Sequence, residues 1–278
     1  MRPVTRALNA LPTPVAGAIA HRIWRGLGTP ESVHERDADV HARAERGQLE
    51  VNGSSVVTYR WGAGPRVILL VHGWRSRASR LSALVRALEP HATIVAFDAP
   101  GNGDSPGKFA TVLDYAEAIH LLGEEHGEFH AIVGHSFGVM ASFLAVREGV
   151  ATRRLVGISG MHDAETGIMH AFARNLGLSP RVAARLRHLV ETRTFAVVDD
   201  PWARFTTRID DARVPVLLVY DELDRTVLPV AADLIAAAHP GPVEVLRTSG
   251  LGHSRILSDP EVVGAIEGFV RAPVAARV

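Results

Sequence analysis

The 278-residue chain contains no cysteine. That excludes disulfide bonds, thiolate zinc sites and a cysteine nucleophile together. Neither charge is in excess, since Lys plus Arg number 30 and Asp plus Glu also number 30. With no net field to attract polyanions, nucleic acid is not an expected partner. No apolar run reaches the roughly 18 residues that cross a bilayer. The N-terminus also lacks a compact uncharged core followed by a small-residue cleavage site. These absences predict a soluble, cytoplasmic protein. A nucleotide cradle is missing too, because the glycines of "GAGP" at 62–65 precede an apolar run instead of opening a helix after one. The histidines and aspartates fall into no ligand-like spacing, so neither a metal nor any other cofactor is expected.

Hydrophobic residues make up 47% of the chain, enough for a substantial core in one large α/β domain with an insertion. Residues 1–47 read as an N-terminal helical extension in pieces, broken by Pro3, Pro12 and Pro14. Val15, Ile19, Ile23 and Leu27 recur at helical spacing and outline one apolar face. Such a face packs on its own domain in the usual case; the alternatives are a second subunit or a membrane surface, reached through an Arg-bearing amphipathic helix.

From residue 48 the period changes. "QLEVNG" and "SVVTYRWG" flank Asn52-Gly53 as a β-hairpin. "RVILLVHGW" is a continuous β-branched and leucine run, the mark of a strand buried on both faces of a parallel sheet. Strand and helix then alternate through "SRLSALVRALEP", "ATIVAFD", a helix near 111–126, "FHAIVG", a helix from Ser136, and "RRLVGISG". This is the pattern of a doubly wound, mostly parallel α/β sheet. Between Met161 and Arg213 the alternation gives way to short helical stretches punctuated by Pro180 and Pro201. "VPVLLVYDELD" and "GPVEVLRTSGLGH" resume the sheet, and a helix capped by Asp259 and opened by Pro260 closes it. The expected organisation is therefore a core of 48–160 and 213–278 with a helical lid at 161–212.

Inside that frame, "GHSFG" at 134–138 ends one strand and opens an apolar helix. A serine between two glycines at such a junction sits on a turn tight enough to expose its hydroxyl, which makes Ser136 the candidate nucleophile; a mere helix cap is the bland alternative. A serine hydroxyl needs a base to take its proton and an acid to hold that base in the right tautomer. His253, in the loop "SGLGHSR" after the last strand, has the placement of the base. Three carboxylates after the preceding strand compete for the acid: Asp221 at the strand edge, Glu222, and Asp224 deeper in the loop, where a carboxylate has more freedom to turn. Asp224 is preferred on that ground. The oxyanion formed on attack needs backbone donors, and the amides of Phe137, after the serine, and Trp74, in "VHGW", are the candidates. His72 reads as a support for that loop.

Taken together these residues resemble the α/β-hydrolase superfamily, in its lidded esterase-like and lipase-like branch. The resemblance runs from about Gln48 to Ala272 and rests on "VHGW", "FDAPGNGDS", "GHSFG", "DELDRTVLP" and "GLGH" in the expected order. It implies the α/β-hydrolase fold, a Ser136-Asp224-His253 triad and an acyl-enzyme mechanism. By the family pattern Asp224 matches the acid position, whereas Asp221 stands where many relatives carry glycine. Relatives that are dehalogenases or epoxide hydrolases carry aspartate at the position of Ser136, and dienelactone hydrolases carry cysteine, so neither reading fits.

Met161, Met169, Phe172, Trp202 and Phe205 supply apolar surface for a substrate pocket, though each alone is equally a packing residue. Arg75, Arg77 and Arg80 follow the oxyanion loop, where an anionic substrate tail or an ordinary solvated loop would account for them. The leading expectation is hydrolysis of a small-molecule carboxylic ester with an apolar acyl or alcohol portion. Acyl transfer, thioester cleavage or carbon–carbon bond hydrolysis on the same fold, and a non-catalytic module binding an apolar ligand, are the competing readings.

Overall fold

The computed structural model describes residues 3–26, 31–211 and 213–273. It divides into two compact units: residues 29–161 with 207–278, and residues 1–28 with 162–206.

The first unit is built on one sheet. Among the described residues its strands are β1 (Glu45–Val51), β2 (Ser54–Trp61), β3 (Val67–Val71), β4 (Thr93–Asp98), β5 (Ala131–His135), β6 (Leu155–Ile158), β7 (Val216–Asp221) and β8 (Val243–Thr248). They lie in the order β1-β2-β4-β3-β5-β6-β7-β8. The hairpin β1-β2 is antiparallel, as is the β2-β4 pairing, and every other pairing is parallel. Asn52 and Gly53 both take positive φ, 48° and 75°, as the two-residue hairpin turn requires. The doubly wound, mostly parallel α/β sheet expected from the sequence is thus present.

The central strands are buried along their length. Their near-continuous apolar composition follows, because both faces are covered by crossover helices. On one face Ile68, Leu70, Ile94, Ala96, Val133, Val156 and Val219 form a core with Leu84 and Val85 of the helix Ser82–Leu88, and with Val262, Ile266 and Val270 of the helix Pro260–Arg271. Asp259 caps the latter by accepting from the backbone N–H of Glu261 and Val262. The other face carries the helix Phe137–Arg147, whose Val139 lies against Gly157 of β6, and beside it the helix Val112–His126. Thr111 and Asp114 close a reciprocal capping box at the start of the latter. The β7-β8 crossover contains the helix Val230–Ala238, which the sequence reading passed over. Pro229 precedes it, and Val230 and Leu234 face water.

Two glycines set how the helix Phe137–Arg147 meets the sheet. A Cβ on Gly138 would stand 2.4 Å from the carbonyl oxygen of Val71 and 2.6 Å from that of His72. One on Gly134 would stand 2.8 Å from the backbone of Gly138 and Val139. All these neighbours are main-chain atoms, so no rotamer change relieves the clash. Only glycine at both positions lets the helix start directly against β3 and β5.

The second unit is helical. The helix Thr13–Gly26 packs on the helix Pro180–Leu189, and a Cβ on Gly17 would fall 2.3 Å from Cγ of Arg185. The buried side of Thr13–Gly26 is Ala16, Gly17, Ala20, His21 and Trp24. Of the apolar stripe named from the sequence, Val15 and Ile19 are 48% and 39% exposed, Ile23 is half-buried, and Leu27 lies outside the described residues. The packed face is thus the one with Ala16, Gly17 and Ala20 at its centre and His21 and Trp24 beside them, and Gly17 is the position where close approach to Arg185 leaves no room for a side chain. In the inserted segment, π-helical turns at Glu165–His170 and Val190–Thr194 adjoin the helices Ala171–Leu176 and Pro180–Leu189.

Substituting Gly138→Ala is expected to destabilise the fold by about 3 kcal/mol or more, the upper end for overpacking a close-packed site. Gly264→Ala, whose added methyl meets open space inside a helix, should be neutral or stabilising by up to about 1 kcal/mol. Thermal unfolding of both variants by calorimetry checks the contrast.

Candidate active site

Ser136 stands between β5 and the helix Phe137–Arg147 with φ 53° and ψ −117°, a conformation that costs a non-glycine residue energy. Its own N–H donates to the Ile158 carbonyl at 2.8 Å, which fixes the turn to β6. The strained backbone lifts the side chain away from the sheet. Phe137 is the first residue of the helix, and its N–H therefore has no partner within the helix. Gly73 abuts this turn, since a Cβ there would stand 3.1 Å from Ser136 Cβ.

His253 lies in a single helical turn, Gly252–Arg255, after β8. Its Nε2 is 3.0 Å from Ser136 Oγ and its Nδ1 is 2.8 Å from Asp224 Oδ2. With the carboxylate accepting at Nδ1, that nitrogen carries the proton and Nε2 offers a lone pair to the serine hydroxyl. The structure thus brings together the three side chains singled out from the sequence. Asp224 is buried, and its second oxygen accepts from the N–H of Thr226 at 2.7 Å and of Val227 at 3.1 Å. Burial pushes its carboxyl up, but the hydrogen bond and charge of His253 and these two amides outweigh it, leaving the pKa below the usual range.

The competing carboxylates are otherwise engaged. Asp221, fully buried, accepts from Thr248 Oγ1 at 2.9 Å, from Leu251 N–H at 2.8 Å and from Leu223 N–H at 3.0 Å. Its main-chain oxygen accepts from Asp224 N–H at 3.0 Å. Asp221 therefore ties the loop bearing Asp224 to the loop bearing His253, a bracing role that the sequence reading missed. Burial raises its carboxyl and the donors more than offset that, so it too is held below its ordinary value. Glu222 pairs with Arg247 at 3.3 Å on the surface.

Two further histidines support the site. His72 is buried between Phe97 and Tyr115. Its Nε2 accepts from Ala99 N–H at 3.0 Å, so Nδ1 bears the proton and donates to the Gly73 carbonyl at 2.6 Å. Tyr115 donates to the same carbonyl at 3.2 Å, and the loop carrying Trp74 is pinned. The Trp74 and Phe137 rings lie 6.4 Å apart. His135 does not bond to Ser136; its Nε2–H donates to the His253 carbonyl at 3.0 Å, with the two rings 4.8 Å apart. Burial first, then the neighbouring charge of His253, lowers its pKa to about 3. His135 is accordingly neutral at neutral pH and acts as a fixed donor to the main chain of the histidine loop.

Of the residues named for an apolar pocket, Met161 belongs to the sheet unit, and Met169, Phe172, Trp202 and Phe205 belong to the helical one. All are buried. The Phe205 ring packs at a tilt against Phe195 with centroids 4.7 Å apart, and Trp202 donates to Glu191 beneath the Arg187 guanidinium. These two are engaged in packing within their own unit. Among the described residues, no cluster of three His, Asp or Glu is placed to hold a metal, and no helix is long and apolar enough to cross a membrane.

Residues 68–266 match the model of the alpha/beta hydrolase family. Among curated proteins none matches the sequence. Solved structures resemble the fold: the esterase RhEst1 from Rhodococcus sp. ECU1013 aligns with TM-score 0.57 at 18% identity, over 82% of this chain and 98% of its own. Est816, described as an N-acyl homoserine lactone degrading enzyme, aligns with TM-score 0.61 at 19% identity over 80% and 100%. A bacterial membrane phospholipase A aligns with TM-score 0.60 at 16% identity over 97% and 96%. At such identities the likeness is one of fold, but the family match spans well over half of the chain. The chain belongs to the alpha/beta hydrolase family.

Proposed function

We propose that the protein is a serine hydrolase of carboxylic esters that works through an acyl-enzyme on Ser136. The observation that carries this reading is the relay Asp224-His253-Ser136, with both links at hydrogen-bond distance and the histidine tautomer set by a buried carboxylate.

In the first half-reaction His253 Nε2 takes the hydroxyl proton as Ser136 Oγ attacks the ester carbonyl. The negative charge moves onto the carbonyl oxygen, where the amides of Phe137 and Trp74 are the donors suited to receive it. The carbon–alkoxy bond then breaks, and the imidazolium returns its proton to the departing alkoxide. Asp224 stabilises the imidazolium in between. Water, deprotonated by the same nitrogen, attacks the acyl-enzyme; as the bond from the acyl carbon to Ser136 Oγ breaks, the imidazolium gives its proton to Oγ, releasing the carboxylic acid and restoring the Ser136 hydroxyl. Hydrogen bonds to Asp224 from Thr226 and Val227 keep the acid ionised and directed at Nδ1 throughout. That an esterase and a lactone-degrading enzyme share the fold supports ester chemistry as the reading. The apolar composition of the segment from Met161 to Leu178 is the sequence ground for proposing an ester with an apolar acyl or alcohol portion.

Turnover of 4-nitrophenyl acetate and butyrate tests this. Ser136→Ala and His253→Ala should each lower kcat by several orders of magnitude, about equally, because the members act as one unit. Equal rates for wild type and Ser136→Ala reject the proposal, and failure of a fluorophosphonate to label Ser136 would favour a binding module instead. Asp224→Asn should lower kcat by about four orders of magnitude with little loss of stability, since it upsets the histidine tautomer. Asp221→Asn should do the reverse, lowering the thermal midpoint more than the chemistry.

A further inference from the structure

Three arginines follow the loop of Trp74, and the structure separates them. Arg77 is buried and bound to Asp104 at 2.6 Å, with Asp98 at 3.7 Å. Arg80 is likewise buried, against Glu31 at 3.3 Å and Asp37 at 3.4 Å. Both are spent on tying residues 31–37 and 98–104 to the sheet unit. Arg75 differs. Among the described residues it makes no ion pair and no hydrogen bond; its guanidinium stacks on the Trp74 ring, 4.4 Å from the centroid. It is half-buried, and burial alone acts on it, lowering its pKa with no acidic neighbour in opposition.

The backbone at Arg75 adds a second observation. Its φ is 61°, in the left-handed region. Glycine or asparagine takes that conformation at little cost, whereas an arginine there is strained. The turn itself needs no arginine, so the strain is carried for the sake of the side chain. Stacking on an indole pre-orders the planar guanidinium and leaves its N–H edge available for two parallel hydrogen bonds, the geometry that matches a carboxylate or phosphate.

We propose that Arg75 is a specificity residue that binds an oxyanion, carboxylate or phosphate, carried by the ester, so that the preferred substrates join an ester bond to an anionic end. This rests on the reading of Ser136 as an ester nucleophile. The test compares 4-nitrophenyl butyrate with the matched hydrogen glutarate and 4-phosphonobutyrate esters, which share the leaving group and differ in terminal charge. Wild type should favour an anionic ester, and Arg75→Asn, which accepts the same φ, should lower the anionic-to-neutral ratio of kcat/KM tenfold or more. Arg75→Lys should retain part of the ratio, and the better of the two anionic esters identifies the oxyanion. A ratio unchanged in Arg75→Asn overturns the proposal, since a purely structural role would move both substrates together. If wild type turns over no ester, the function proposed for Ser136 fails. Calorimetric binding of monomethyl glutarate and 4-phosphonobutyrate still reads Arg75, and equal or absent binding in wild type and Arg75→Asn rejects it.

A separate surface carries a second inference. The helix Thr13–Gly26 turns Val15 and Ile19 to solvent, with Arg22 exposed on the same side. Its opposite side already packs on the helix Pro180–Leu189, so this stripe is not needed to hold the helix in its unit. The first thirty residues contain Arg2, Arg6, Arg22 and Arg25 and no acidic residue before Glu31. Two copies meeting through this face would bring arginines together, whereas lipid phosphates would complement them. The geometry points to an anionic phospholipid surface as the partner of this stripe. Co-sedimentation at physiological ionic strength should carry wild type down with vesicles containing phosphatidylglycerol but not with phosphatidylcholine alone, while the double variant Val15→Asp with Ile19→Asp stays in the supernatant. Wild type remaining unbound, or the double variant binding equally, overturns it. A dimer that Ile19→Asp dissolves, without vesicle binding, assigns the stripe to a second copy and overturns it as well.

Discussion

The contact between two main chains at Gly138 is the constraint on which the site depends. With the carbonyl oxygens of Val71 and His72 closer to a notional Cβ than any real side chain tolerates, the helix Phe137–Arg147 begins in direct contact with β3. That closeness places Ser136 at the end of β5 in a conformation it would not choose, and sets Gly73, the residue before Trp74, against its Cβ. Ser136 and the loop of Trp74 are therefore positioned by one packing event, and the strain at Ser136 is held by the buried sheet beneath it.

The histidine side of the site is held by charge instead of packing. Asp221 and Asp224 stand three residues apart at the end of β7, both buried and both ionised below their ordinary range. Their partners divide the work. Asp221 gives its oxygens to Thr248, Leu251 and Leu223, which is the behaviour of a brace between loops. Asp224 keeps one oxygen for two amides and the other for His253 Nδ1, so that the carboxylate is held in one orientation towards the imidazole. His135, held neutral, adds a donor to the main chain of the same loop without adding a charge near the imidazole.

Much of this was legible because each site residue lies beside a feature that sequence displays well: a buried strand, a glycine, or a loop of fixed order. The elbow glycines, the hairpin at Asn52-Gly53 and the order of serine, acid and histidine all leave local marks. What was illegible is long-range. Nothing in "YDELD" says that Asp221 reaches Leu251, thirty residues on, because the bond exists only once β8 lies beside β7. The helix Val230–Ala238 escaped because Val230 and Leu234 face water and its alanines give no amphipathic contrast. The aliphatic stripe of the helix Thr13–Gly26 marks one face, while the helix packs through the other, with Ala16, Gly17, Ala20, His21 and Trp24. A hydrophobic period reports which residues share a face, and not which face the fold uses.

The same distinction separates the arginines of 75–80. In sequence they are alike, three cations in a short basic stretch after a glycine. In the fold two of them are neutralised by carboxylates from segments remote in the chain, Glu31 and Asp37 for Arg80, Asp98 and Asp104 for Arg77. A buried cation without such partners would be a liability, so the partners explain how these two survive burial. Arg75 survives by partial exposure and by the face of Trp74, which lowers the cost of desolvation without cancelling the charge. A charge left uncancelled beside the loop of Trp74, which abuts the Ser136 turn, changes the potential felt by whatever approaches Ser136. It favours negative charge there, and it does so before any contact is made, because the field acts over about a Debye length.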